Sequence, residues 1–243
     1  MEALAAAFWG FVGGAALLIG ALLGIYVGAS QRVISVVMAV GSGVLISSVA
    51  FELMEEAYRH GGFDTPAIGL LSGAVIYFAA DSAVSRRAKH RKRSQGQQGG
   101  GSAAAITAGA IMDGIPESVA IGISLVGAGA ISWVFVVAVF LSNVPESLSA
   151  AAGMKKAGDS PGRILGLWGS VTAVSALSAM VGYVFLAGAS GEVVAVIQSF
   201  AAGAILTMLA STMLPEAYEE GGAVVGVVTT AGFLVAFVLS HLE

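Results

Sequence analysis

Eight apolar stretches, each close to the roughly 20 residues a helix needs to cross a bilayer, leave a 243-residue chain little choice of fold. Their approximate bounds are 3–29, 33–57, 66–85, 103–127, 131–154, 163–187, 193–217 and 222–240. The expectation is an all-α polytopic membrane protein with eight transmembrane helices. Only 11% of the residues are charged, against about 25% in soluble domains. The 34 glycines, with many alanines and serines, let membrane helices approach closely and favour a packed bundle. There is no cysteine, which removes thiolate metal sites and disulfides. The first stretch lacks a basic start and a sharp cleavage site and reads as a retained span.

The basic residues set an orientation. Placing "SRRAKHRKRSQGQQGGGS" (85–102) in the cytoplasm and threading eight spans puts Arg32, Arg86, Arg87, Lys89, Arg91, Lys92, Arg93, Lys155, Lys156 and Arg163 inside. Only Arg59 of the eleven falls outside, as the positive-inside rule asks. Both termini are then expected outside, in a multi-pass protein of the cell membrane. The 86–102 segment itself reads as a flexible basic and Gln/Gly-rich linker, able to touch anionic headgroups.

The chain also repeats itself. "GVLISSVAFELMEEAYRHGG" from Gly43 and "GAILTMLASTMLPEAYEEGG" from Gly203 align without gaps, with Gly43, Ala50, Glu56, Ala57, Tyr58, Gly61 and Gly62 identical 160 positions on. Trp9-Gly10 pairs with Trp168-Gly169, and spans 4 and 5 share Pro-Glu-Ser. This divides the chain into a three-helix repeat (1–85), the loop (86–102), a central helix pair (103–154) and a second three-helix repeat (163–243). Equivalent spans lie five apart, an odd number, so the repeats run in opposite directions across the membrane. Inverted repeats with a site near the midplane are characteristic of secondary transporters.

The central pair carries the chemistry. "MDGIPESVAIGIS" places Asp113 and Glu117 on one helical face. Twenty-nine residues on, "LSNVPESLSAAAG" places Asn143 and Glu146 on another. A carboxylate at the bilayer centre costs about 2.5–3.5 kcal/mol on insertion scales, and no span interior supplies Lys, Arg or His to offset it. These acids are protonated, hydrated in a cavity, or neutralised by a bound cation. Pro116 and Pro145 lack an N–H, which frees the carbonyls of Met112 and Leu141. Carboxylates, freed carbonyls, Ser118, Ser142, Asn143 and Ser147 together offer a divalent cation an oxygen site.

"DGIPES" and "SNVPES" resemble the paired motifs of the ZIP family of divalent metal transporters, whose fourth and fifth spans carry patterns close to His-Asn-x-Pro-Glu-Gly. "ELMEEA" and "TMLPEA" resemble the family's "His-x-x-Pro-Glu-Ala" segments of spans 2 and 7. The resemblance covers essentially the whole chain. It implies a divalent metal transporter, not an enzyme, working by alternating access without ATP, with metal held by Asp113, Glu117, Asn143 and Glu146, and by Ser142 more weakly. Asp113 stands where the family usually has histidine, Gly114 where it has asparagine, Ser142 in place of the span-5 histidine and Glu52 in place of a span-2 histidine. The family implies zinc or iron; carboxylate and carbonyl donors suit manganese, magnesium or calcium. The lost histidines also fit a non-transporting ZIP-like protein, a metal sensor or assembly partner.

Glu52 and Glu56 share a face at the outer end of span 2, a candidate entrance that would focus negative potential, and Glu216 is the repeat-related candidate exit. His60, His90 and His241 fall at span ends or in loops and receive no role, nor does Asp81. No phosphate loop with its lysine appears, so ATP drive is unsupported, and no organic cofactor is expected. The expected partners are the divalent metal substrate and membrane lipid, with a homodimer admitted and nucleic acid excluded. An intramembrane hydrolase would need two acids across a water-filled cavity behind a substrate gate.

Overall fold

The computed structural model describes residues 1–95, 103–127 and 131–242, and these are helical with no strands. The chain forms eight rods: α1 (Glu2–Tyr26), α2 (Gln31–Gly61), α3 (Asp64–Gln95), α4 (Ala103–Gly127), α5 (Trp133–Lys156), α6 (Pro161–Leu186), α7 (Gly191–Gly221) and α8 (Val224–Ser240). Seven are long and apolar enough to cross a bilayer; α8 is equally apolar but has 17 residues, about 25 Å at 1.5 Å per residue. The chain is a multi-pass membrane protein.

Serines start three of the rods: Ser30 accepts from Val33 N, Ser132 from Phe135 N and Ser160 from Arg163 N, at 3.4, 3.2 and 3.4 Å. Such caps satisfy amides that the helix cannot. The expected linker begins differently: α3 continues to Gln95, so the run 86–93 prolongs a helix. Residues 96–102 lie outside the described residues.

The rods form two groups of four. In one, α1 packs on α4, α5 and α6, and α4 packs on α6; in the other, α3 packs on α7, and α2 packs on α7 and α8. The α2–α5, α4–α7 and α3–α4 contacts join the groups. Two thirds of the apolar window of α2 is buried (67%), against 17% of that of α3, so α2 is central and α3 peripheral. The exposed face of α3 carries Ile68, Leu71, Val75, Ile76 and Phe78, side chains suited to lipid.

The pairing scheme is unchanged when α1 is exchanged with α6, α2 with α7, α3 with α8 and α4 with α5. Local geometry follows the 160-residue spacing. Gly62 and Gly222 end α2 and α7 at φ +66° each, where a Cβ would be strained. A Cβ on Gly43 would lie 2.0 Å from Thr229 O, and one on Gly203 2.0 Å from Leu70 O, so glycine permits both helix crossings. The α2 and α7 rods each contain a π-helical stretch, Val49–Met54 and Leu209–Met213. Helices α4 and α5, by contrast, run through Pro116 and Pro145 as α-helix. The π turns thus sit in the helices that flank the central pair. Such π turns cluster at functional sites.

Candidate metal centre

The central acids meet where the two groups of helices join. Glu117 on α4 is buried, 2% exposed, and its Oε2 has no hydrogen-bond partner. Asp113 stands one turn away on the same face. Glu146, from α5, is close enough to both for their charges to repel. Between them lie neutral oxygens. Ser142, buried beside Glu117, donates to Val139 O at 2.9 Å, and its lone pairs still accept. Asn143 is buried and donates its amide nitrogen to Gly13 O at 3.2 Å, which anchors it to α1; its amide oxygen is an acceptor. Asp113, Glu117, Ser142 and Glu146 are therefore neighbours, while the contact recorded for Asn143 is with α1.

Among the described residues no ion pair involves these acids. The two ion pairs among the described residues, Arg59–Glu55 at 2.5 Å and Arg163–Asp159 at 2.7 Å, lie at helix ends. Nor, among the described residues, do three His, Cys, Asp or Glu side chains converge closely enough to hold one metal ion. The carboxyls are neighbours without being closed around a point.

A cavity of about 570 Å³ opens at one end of the bundle, where α2, α4 and α8 finish and α5 begins. Glu52 and Glu56 line it, as do Arg59, His60, Ser132, Ser240 and His241. Glu52 lies within the π turn of α2 and is held by several donors. Ser132 donates to its Oε2 at 2.9 Å, Ser240 donates to its Oε1, and Gln198 donates to its main-chain oxygen at 3.3 Å. The same Gln198 amide donates to Glu56 Oε2 at 3.3 Å. Phe135, Leu53 and Ser124 also line the cavity; Ser124 lies seven residues beyond Glu117 on α4, about 10 Å at the helical rise. Buried Ala120, Ile121 and Val139 belong to the apolar cluster between these levels.

Glu216, the repeat counterpart of Glu56, stands on the opposite side of Glu146. It accepts from Ser149 of α5 at 3.3 Å and is close enough to Glu146 to repel it.

Several contributors had no role in the sequence. Tyr77 of α3 is buried and donates to Asp113 Oδ1. Asp81, one turn along α3, is close enough to repel Asp113; an acid within a span was signal enough to flag it. His60 and His241, set aside as isolated histidines, line the same cavity, with Nδ1 3.0 Å from Glu56 O and 2.8 Å from Phe237 O respectively. Gln198 is fully buried; an amide within an apolar span was its only sequence mark. His90 lies on α3, outside the residues whose side chains are described.

No family model matches the chain, and no curated protein matches it.

Proposed function

We propose that this chain is a ZIP-like permease for divalent metal cations, working by alternating access without ATP. The observation that carries the reading is the buried Glu117 carboxyl, with a partnerless Oε2 and with Asp113 and Glu146 as neighbours. In lipid such a group is costly unless a counter-charge arrives, and a divalent cation supplies that charge. Asp113, Glu117, Asn143 and Glu146 are the proposed ligands, with Ser142 a weaker one. Binding requires these neighbours to close inward by side-chain or helix adjustment.

The matching contact scheme and the paired π turns and glycines support an inverted 3+2+3 repeat: α1–α3 and α6–α8 flank α4–α5. In the proposed orientation both termini are outside and the 86–102 segment is cytoplasmic. The cavity bearing Glu52 and Glu56 then opens outward as an entrance, and Glu216 lies toward the exit. Oxygen donors without histidine favour manganese more than a histidine site would. Because protons compete for the carboxylates, metal affinity falls as the medium is acidified.

One observation favours the non-transporting alternative, a sensor or assembly partner: the ligands do not converge on one point. Uptake into proteoliposomes against a panel of Mn²⁺, Zn²⁺, Fe²⁺ and Co²⁺ decides between them. Accumulation of at least one ion above protein-free liposomes supports the permease. Binding of metal without accumulation supports the sensor.

A further inference from the structure

We propose that Tyr77 is a positioning residue for the metal carboxylate Asp113, fixing one of its oxygens so that the other faces the ion. This rests on the metal-binding reading above. Tyr77 is 4% exposed, and its phenol donates to Asp113 Oδ1. The bond runs from α3 in one four-helix group to α4 in the other, so it ties the acid to a neighbour that carries no proposed ligand. The Thr212 hydroxyl, in the π turn of α7, lies beside the same phenol.

The chemistry of a phenol suits this task. Lysine or arginine in its place would cancel the carboxylate's charge and compete with the cation. A neutral O–H satisfies one lone pair of Asp113 and leaves the negative charge intact. Acidic metal ligands are regularly oriented by such a donor.

The repeat supplies a control within the molecule. Gly73 against Phe200 O and Gly232 against Val40 O are matching close approaches, which fixes a 159-residue spacing between α3 and α8. Position 77 therefore corresponds to Ala236, also buried at 1% exposed. The shared Pro-Glu-Ser motif makes Asp113 correspond to Ser142. The half with the acid carries the phenol; the half with a serine carries alanine.

The test is metal titration of the purified full chain with Mn²⁺ and Zn²⁺ by calorimetry, for wild type, Tyr77→Phe, Asp113→Asn and the double variant. Tyr77→Phe keeps the ring and removes only the donor. The proposal expects affinity to fall about ten- to a hundredfold, with the double variant binding as Asp113→Asn does. Comparing Asp113→Asn with the double variant keeps the test valid if Tyr77→Phe alone does not fold, because the double variant leaves no carboxylate without its donor. Wild-type affinity in Tyr77→Phe, or a double variant clearly weaker than Asp113→Asn, overturns the positioning role while leaving the metal site standing. A wild type that binds neither ion overturns both.

Discussion

Glu52 and Glu117 are both glutamates on inward helix faces, yet the protein treats them differently. Ser132 and Ser240 bind the two carboxylate oxygens of Glu52, which lines an open cavity. Glu117 is buried with Oε2 partnerless, near two further acids. A carboxylate fully occupied by protein donors at a wet surface is a fixed negative charge that attracts cations without gripping them. A buried carboxylate with one oxygen left without a donor is costly to maintain and gains most when a cation arrives. On the proposed reading, the contrast separates attraction at the cavity from binding at the centre.

Removing charge at the centre should have the largest effect. Glu117→Gln and Glu146→Gln should each weaken metal binding by about 2–5 kcal/mol, the usual cost of deleting one side of a buried charge contact. The double variant should be little worse than either single, since residues acting as one unit are non-additive. The metal-free variants should melt at higher temperature than wild type, because an uncompensated buried acid has been removed. Thermal shift with and without Mn²⁺ checks both signs. A metal-induced shift as large in the variants as in wild type would break the comparison.

Asp113→His should have an intermediate effect. It adds an imidazole to an all-oxygen set and should raise the zinc-over-manganese ratio about tenfold, measured by competition binding. An unchanged ratio would mean that position 113 does not touch the ion. Glu52→Gln should do least. Gln keeps one oxygen to accept from one serine and donates its amide nitrogen to the other, so affinity at the centre should stay within about twofold, while uptake is about two- to tenfold slower than wild type at low salt, a gap that closes as salt screens the wild-type charge. Loss of equilibrium affinity in this variant would place Glu52 among the ligands.

The apolar spans were legible because span length is imposed by the bilayer, and the helices begin and end within four residues of the expected bounds, except that α3 runs ten residues further. The central acids were legible because charge in lipid is rare enough to stand out. The "EAY..GG" match foretold a geometric correspondence, seen in Gly62 and Gly222. Tyr77 was not legible: a tyrosine in an apolar helix looks like any packing aromatic until Asp113 is found beside it. His60 and His241 meet at one cavity from opposite ends of the chain, which no local spacing announces. The π turns were missed for a different reason. Pro215 deprives the Ser211 carbonyl of its helical partner and gives a local cause in α7, but its counterpart in α2 is Glu55, so proline does not account for the turn there. Nothing in the structure further explains the turn in α2.

The central claim is that Glu117 and Glu146 jointly hold a divalent cation, and counting bound metal tests it most directly. Equilibrium dialysis of the purified chain against Mn²⁺ at neutral pH, for wild type and the Glu117→Gln/Glu146→Gln double variant, reads site occupancy without relying on transport. The account predicts saturable binding in wild type that disappears from the double variant over the same concentration range. Equal binding by the two proteins would contradict it.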